Sequence, residues 1–211
     1  MNLSDLISRG CENIGLEVSE CQLNLFSQVI EQLLKWNKAY NLTAIREPEQ
    51  MVTLHLLDSL AIAPYLAPGR LLDVGTGPGF PGIPLAILAP DREYYLLDSN
   101  KKKTRFIKQL VYDFELSQVT VLDTRVEQWQ PDQSFDVIVS RAFSALDKMI
   151  TLTEHLLAPT GVWQAMKGEY PEKELASLPS HIEVLSVDAL DVPRLEAQRH
   201  LVTLRNKRTT T

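Results

Sequence analysis

Leu71-Leu72-Asp73-Val74-Gly75-Thr76-Gly77-Pro78-Gly79-Phe80 reads as a buried strand that ends in a glycine-rich turn and opens into a helix. Glycine lacks Cβ and tolerates positive φ, so such a turn lets backbone approach a ligand closely. Asp73 sits two positions before the first glycine. A phosphate gains little from a carboxylate at the edge of its cradle, whereas a cationic ligand gains a lot.

Outward from this stretch the chain changes character. On its N-terminal side, residues 3 to about 63 are predicted to be helical. Leu23, Phe26, Val29, Ile30, Leu33 and Leu34 recur at three- and four-residue steps and build one apolar stripe. Pro48 suits the first turn of a second helix carrying Leu54, Leu57, Leu60 and Ile62, and Pro64 and Pro68-Gly69 end the region. On the C-terminal side strands and helices alternate. Arg70–Val74, Glu93–Leu97, Val119–Leu122, Val137–Ser140 and Gly161–Met166 read as strands, and Gly82–Ala89, Asn100–Asp113 and Ala145–Leu157 as helices. That alternation predicts a parallel sheet covered on both faces. Ile182–Val187 and His200–Arg205 have no helix between them and are expected to pair antiparallel. The expected fold is α/β: a mostly parallel sheet with an antiparallel C-terminal hairpin over 67–211, and a helical N-terminal extension over 1–66 packed on it.

Composition bounds the function. Hydrophobic residues make up 45% of the 211 and charged residues 23%, which suits a water-soluble globular protein. No apolar run approaches the ~20 residues of a membrane span. The N-terminus lacks the basic-then-apolar order of a signal peptide, so a cytoplasmic protein is expected. Cys11 and Cys21 form neither a disulfide framework nor a metal motif, and the four histidines show no zinc spacing, so no metal is expected. The net charge of −6 argues against non-specific coating of nucleic acid. Two runs depart from it: 99–108 holds five basic residues, 199–208 holds four Lys/Arg plus His200, and neither holds an acid. Either run alone reads as solvated surface. Two that share a side would offer phosphate contacts through Lys101, Lys102, Lys103, Arg105, Arg199 and Arg205.

In an open parallel sheet the ligand sits beyond the carboxyl ends of the strands. The second strand ends at Asp98, 23 positions after Gly75, where a carboxylate can accept both hydroxyls of a ribose. Turn and acid together imply an adenosine-containing cofactor. The G-x-G-x-x-G pattern of dinucleotide folds fits poorly, because its third glycine would fall on Phe80, and Pro78 and Pro81 remove donors that a pyrophosphate needs. The Asp73-x-Gly75-x-Gly77-x-Gly79 register instead resembles the first motif of class I S-adenosylmethionine-dependent methyltransferases, which have a Rossmann-like fold. There Asp73 would orient the methionine ammonium of S-adenosyl-L-methionine. A purely structural turn, or NAD binding, is the competing reading.

The fourth strand bears on the acceptor. It leads into Ser140-Arg141-Ala142-Phe143, without the paired prolines common in exocyclic-amine methylation of nucleic acids, and no cysteine nucleophile lies nearby. Guanine N7 is one acceptor that needs neither. Lys35-Trp36-Asn37-Lys38-Ala39-Tyr40-Asn41-Leu42-Thr43, His55-Leu56-Leu57-Asp58-Ser59, the Asp73–Pro84 string, Leu97-Asp98-Ser99, Ser140–Phe143 and Met166-Lys167-Gly168 follow in order. Together they closely resemble the bacterial ribosomal RNA small subunit methyltransferase G family, also called glucose-inhibited division protein B, from about residue 30 to the C-terminal hairpin. The resemblance implies an enzyme transferring methyl from S-adenosylmethionine by in-line displacement to N7 of one guanine in 16S ribosomal RNA, giving 7-methylguanosine. Its implied partner is 16S rRNA, the small ribosomal subunit or an assembly intermediate, with no membrane and no metal, and a monomer is expected. It implies a donor loop at Gly75, Gly77, Gly79 and Phe80, a ribose acid at Asp98, an adenine-facing segment at Val126-Glu127, and a positioning role for Arg141 at the donor site. The competing readings are packing for Phe80, packing against a ligand-side role for His55, an ion pair to Asp98 or Glu127 for Arg141, and helix capping against substrate contact for Asn37, Tyr40 and Asn41.

Overall fold

The structure is a computed structural model and describes residues 2–141, 143 and 145–207. Ala142, Arg208 and the Thr209–Thr211 tail, which the sequence reading touches, lie outside the described residues. Strands β1 (Leu71–Val74), β2 (Tyr94–Asp98), β3 (Val119–Asp123), β4 (Phe135–Ser140) and β5 (Leu157–Lys167) run parallel, and β6 (Ile182–Ala189) and β7 (His200–Asn206) complete the sheet. The order is β3-β2-β1-β4-β5-β7-β6, with β7 antiparallel to both of its neighbours. The expected antiparallel hairpin is therefore present, inserted so that its second strand, not its first, meets β5.

β1 occupies the centre, and all four of its residues are buried. Alternation along it sends Leu71 to one apolar cluster and Leu72 and Val74 to the other. Asp73 points to the Leu71 side, under helix α5 (Gly82–Leu88), whose Gly82 N–H it accepts. Successive strands leave β1 in opposite directions, β2 on one side and β4 on the other, which opens a crevice at their carboxyl ends.

The first face of the sheet is covered by α1 (Leu3–Ile14), α2 (Glu20–Tyr40), a helical segment over 48–60, α5 and α6 (Lys101–Asp113). Phe26, Ile30, Leu33 and Leu57 of the N-terminal helices share one cluster with Leu71, Leu96 and Phe106 of the sheet and α6. Ser19 and Gln22 form a capping box that starts α2, and Asn41 ends it at φ 51°. The stripe expected for α2 is buried at Phe26, Val29, Ile30 and Leu33, with Leu23 and Leu34 half-buried.

The segment beginning at Pro48 is not one uniform α-helix. It comprises α3 (Pro48–Met51), a π-helical stretch (Val52–Leu57) and α4 (Asp58–Leu60). A π turn inserts residues into the helical repeat and re-aims the side chains that follow. Thr53, His55, Asp58 and Ser59 are all buried in it. The second face is covered by α7 (Leu146–Thr153), which packs Leu146, Met149 and Ile150 on Leu72, Ile138 and Trp163. Ala145, the N-cap residue of α7, supplies no side-chain cap. Glu174 of a short helix absent from the sequence reading, α8 (Glu172–Ala176), accepts the Leu146 N–H at 2.7 Å and the Lys167 ammonium at 2.8 Å.

Candidate active site

Gly75, Gly77 and Gly79 all take positive φ, at 69°, 62° and 96°, which is the conformation for which glycine suits the turn. A Cβ on Gly79 would lie 2.8 Å from Ile83 Cγ1, so this glycine also admits the helix. The loop is tied at both ends to Asp73. Its Oδ2 accepts the Thr76 hydroxyl at 2.6 Å and the Gly82 N–H at 2.9 Å. Its Oδ1 is buried with no hydrogen-bond partner among the described residues. Burial pushes this carboxyl up to about 6, against the pull of the Thr76 and Gly82 hydrogen bonds and the Arg141 charge. A buried carboxylate with one idle oxygen is a site that a cationic ligand group would relieve.

Beside the loop lies a cleft of about 330 Å³ whose walls include Gly75, Asp98, Val126, Glu127, Phe143 and Lys148. Four positions singled out from sequence therefore meet in one cavity, delivered by the carboxyl ends of β1, β2 and β3. Asp98 is held by backbone: Oδ2 accepts Gly77 N–H at 2.9 Å and Oδ1 accepts Asn100 N–H at 2.8 Å. Each carboxylate oxygen has a second acceptor direction to offer hydroxyl groups.

The other expected site residues lie elsewhere. Asp73 and Phe80 are buried and do not line the cleft. Phe80 is 1% exposed and stacks on the His55 ring at 5.0 Å, which is the packing alternative. Gly77 borders open space, the nearest atom to a Cβ there being Lys103 Nζ at 4.0 Å.

Arg141 pairs with neither Asp98 nor Glu127. Its Nη1 donates to Asp58 Oδ2 at 3.2 Å and to the Leu54 carbonyl at 3.0 Å, and its guanidinium lies 5.9 Å over the Phe80 ring. Arg199 donates its Nε–H to the other Asp58 oxygen at 2.7 Å. One carboxylate, its side chain 3% exposed, thus holds two guanidinium groups from opposite parts of the chain. Arg141 Nη2 also meets His55 Nδ1 at 3.4 Å. A guanidinium only donates, so Nδ1 is the acceptor and the imidazole proton sits on Nε2, which donates to Thr43 Oγ1 at 2.9 Å. Burial, then the Arg141 charge, lowers the His55 pKa to about 3, so the ring is neutral. Asp58 stands outside the residues to which the motifs give a role, although His55 and Asp58, three apart in a helical segment, signal a shared face.

Asn37 is a brace: its Oδ1 accepts Thr43 N–H at 3.0 Å and its Nδ2 donates to the Ile45 carbonyl at 3.1 Å. Asn41 is the helix cap and accepts from Arg46, while Tyr40 is exposed. The two basic runs share an edge only in part. Lys101, Lys102, Lys103 and Arg105 open α6 directly after Asp98. Arg199 reaches the same edge because His200 pairs with Lys167 at the end of β5, but it is engaged by Asp58. Arg205 lies about 20 Å further along the extended strand and pairs with Glu183 at 2.8 Å. Extended backbone separates what sequence proximity had grouped.

Cys11 is buried and its thiol is pushed up to about 11 by burial, an inert thiol. Among the described residues no three His, Cys, Asp or Glu side chains are grouped to hold a metal ion, and no helix is long and apolar enough to cross a membrane.

Against known proteins, a family model described as rRNA small subunit methyltransferase G matches residues 22–202. The chain is 51% identical over 197 residues to the ribosomal RNA small subunit methyltransferase G of Chromobacterium violaceum, covering 93% of this chain and 94% of that protein. It is 50% identical over 204 residues to the protein of the same name from Laribacter hongkongensis, covering 97% and 99%. Among solved structures, a ribosomal protein L11 methylase from Lactobacillus delbrueckii superposes with a TM-score of 0.56 at 17% identity, covering 72% of this chain and 77% of that one. A methyltransferase from Thiobacillus denitrificans in complex with S-adenosyl-L-homocysteine gives 0.55 at 16%, covering 82% and 96%. At such identities these structures establish the class I methyltransferase fold.

Proposed function

The chain belongs to the rRNA small subunit methyltransferase G family, and from that membership we propose that it transfers a methyl group from S-adenosylmethionine to N7 of a guanine in 16S ribosomal RNA. The observation that carries the site assignment is the convergence of Gly75, Asp98, Val126 and Glu127 on one cleft, with the idle Oδ1 of Asp73 buried beneath its loop. These residues fit the donor. Asp98 has acceptor directions for ribose hydroxyls, Val126 and Glu127 form the wall for the adenine, and Asp73 supplies charge for an ammonium. When bound, the donor supplies a sulfonium methyl that a lone pair can displace directly.

The chain's own contribution is binding, alignment and charge. Guanine N7 carries no proton to remove, so no general base is needed, and holding N7 in line with the methyl is the main demand on the protein. Asp98 and Glu127 of the wall, with Asp73 behind the loop, place carboxylates beside Arg125 and Lys148 where positive charge passes from sulfur to the base. Arg141 acts as a positioning residue at the end of β4, fixed by Asp58, the Leu54 carbonyl and the Phe80 ring. We read the protein as a cytoplasmic monomer.

Nucleoside mass spectrometry of 16S rRNA from cells with and without the protein tests this. 7-Methylguanosine at one position should disappear without it and return with the wild-type chain but not with Gly75→Asp, and an unchanged level overturns the reading. Methylation assays on naked 16S rRNA, assembly intermediates and mature subunits then identify which form is the substrate.

A further inference from the structure

Between α2 and α6, away from the donor cleft, runs a second groove of about 460 Å³ lined by Lys35, Trp36, Tyr40, Arg105, Gln109 and Asp113 among others. Its floor is aromatic. Trp36 packs on Tyr40 with ring centroids 5.2 Å apart, and from beneath it touches Phe106 at 5.5 Å. Trp36 remains half-buried rather than covered, and Tyr40 is exposed.

Lys35 and Arg105 line the groove, and further cations stand on the same two helices or just beside them. Residues 35–40 and 99–108 carry Lys35, Lys38, Lys101, Lys102, Lys103, Arg105 and Lys108 and no carboxylate, in a chain whose net charge is −6. None of these seven forms an ion pair among the described residues, whereas Arg70, Arg141, Lys167, Arg194, Arg199 and Arg205 all do. Asp113 is the one carboxylate among the lining residues. It sits at the C-terminal end of α6, far from the donor loop, and accepts from Gln109 at 2.7 Å. Lys103, in the first turn of α6, stands over Gly77 of the donor loop.

Free cations around exposed aromatic rings are what a single-stranded nucleic acid requires: phosphates take the charge, and bases stack on ring faces whatever their sequence. A protein partner of ordinary acidity would be served by the charge but would leave the Trp36–Tyr40 platform unexplained. We propose that this groove holds an unpaired stretch of the RNA substrate, flanking the guanine delivered to the donor cleft, with bases stacked on Trp36 and Tyr40 and phosphates held by Lys35 and Arg105. The proposal rests on the reading that the substrate is RNA and adds where that RNA lies outside the cleft.

The test measures binding of a labelled oligouridylate and of naked 16S rRNA over a range of salt, beside calorimetric titration with S-adenosylmethionine. Tyr40→Ala and Trp36→Phe disturb the platform, with Tyr40 chosen because it is exposed and Trp36→Phe because it keeps an aromatic contact to Phe106. Tyr40→Ala should weaken RNA binding by roughly tenfold, the loss of one stacked base. Arg105→Gln should lower the slope of log K against log salt by about 0.7, the signature of one lost single-strand phosphate contact. Donor affinity should stay at the wild-type value in all three. RNA affinity and salt slope unchanged in both Tyr40→Ala and Arg105→Gln overturn the proposal while leaving the enzymatic reading intact. Variants that bind naked RNA normally but lose affinity for the protein-bearing small subunit overturn it in favour of a ribosomal protein contact. A wild-type protein that binds donor but no RNA at all overturns both readings together.

Discussion

Replacing Asp58 by Asn leaves two guanidinium groups facing a neutral amide where the original side chain is 3% exposed. The carboxylate joins three distant segments: α4 of the N-terminal helices, the chain leaving β4 at Arg141, and the approach to β7 at Arg199. Breaking a buried ion pair from one side costs about 3–5 kcal/mol, because the remaining charge is stranded. Here the two arginine side chains are 25% and 23% exposed, Arg141 keeps the Leu54 carbonyl, and Arg199 keeps the Gln198 carbonyl. Asn also retains one acceptor oxygen. Those compensations reduce the expected loss to about 2–3 kcal/mol. For a chain of this length that is a fall in melting temperature of roughly 4–12 °C.

Thermal and urea unfolding measure the loss, and a double-mutant cycle with Arg199→Met apportions it. If Asp58 and Arg199 act as a pair, the second substitution should cost at least about 1 kcal/mol less in the Asp58→Asn background than in the wild type. Methylation kinetics should show kcat falling more than donor affinity, since Arg141 loses its anchor while the cleft wall stays in place. A melting temperature within about 2 °C of wild type, which for a chain of this length is below 1 kcal/mol, together with no coupling, would refute the argument. The two arginines would then be solvated groups that merely lie near Asp58.

Further outcomes follow from the same contacts. Gly75→Ala forces a side chain into positive φ at a cost of about 1–2 kcal/mol and places a methyl in the cleft wall, so calorimetry should show donor binding weakened at least as much as folding. Asn37→Ala strips partners from the Thr43 N–H and the Ile45 carbonyl, and unfolding should register a loss of about 1–3 kcal/mol. Asp73 has its carboxyl raised from 3.8 to about 6, so it binds a proton more readily folded than unfolded, and its contribution is lost as pH rises through that window. Asp73→Asn abolishes this term. Relative to wild type the variant should therefore gain stability with rising pH between those values, by up to roughly 1.4 kcal/mol per unit, and a constant difference across the window would show that Asp73 is not buried as protonated acid. His55 acts with the opposite sign: its ring is held neutral to about 3, so its contribution is present above 6.5 and lost as pH falls towards 3.

What the sequence disclosed was what local chemistry determines. Three glycines at alternate positions after a buried strand, with an acid at the end of the next one, are set by the needs of one loop and two adjacent strands, and Gly75 and Asp98 meet in the cleft accordingly. The sheet's handover to an antiparallel hairpin was visible for a similar reason, since no helix separates Ile182–Ala189 from His200–Asn206. Arg141, by contrast, was visible as a cation at a strand end but not by its partner. Asp58 is 83 residues away from it and Arg199 is 141 residues from Asp58. Any acid near the carboxyl edge was a candidate, and Asp98 and Glu127 were nearer to hand. The deciding factor was that Gly77 and Asn100 backbone donors already engage Asp98, while the π-helical stretch brings Asp58 inside the core, where a lone carboxylate requires countercharge. Winding of that kind leaves no periodicity to read in a six-residue stretch. The same reasoning explains the basic runs: among the described residues the cations of 99–108 form no ion pair, because they lie on a helix exposed along one face, whereas Arg199, just before β7, and Arg205, near its end, each meet an acid. Lys35 and Arg105 beside Trp36 and Tyr40, without an ion pair among the described residues, are then a feature the fold leaves unneutralised, and its use has to be sought in a ligand rather than in stability.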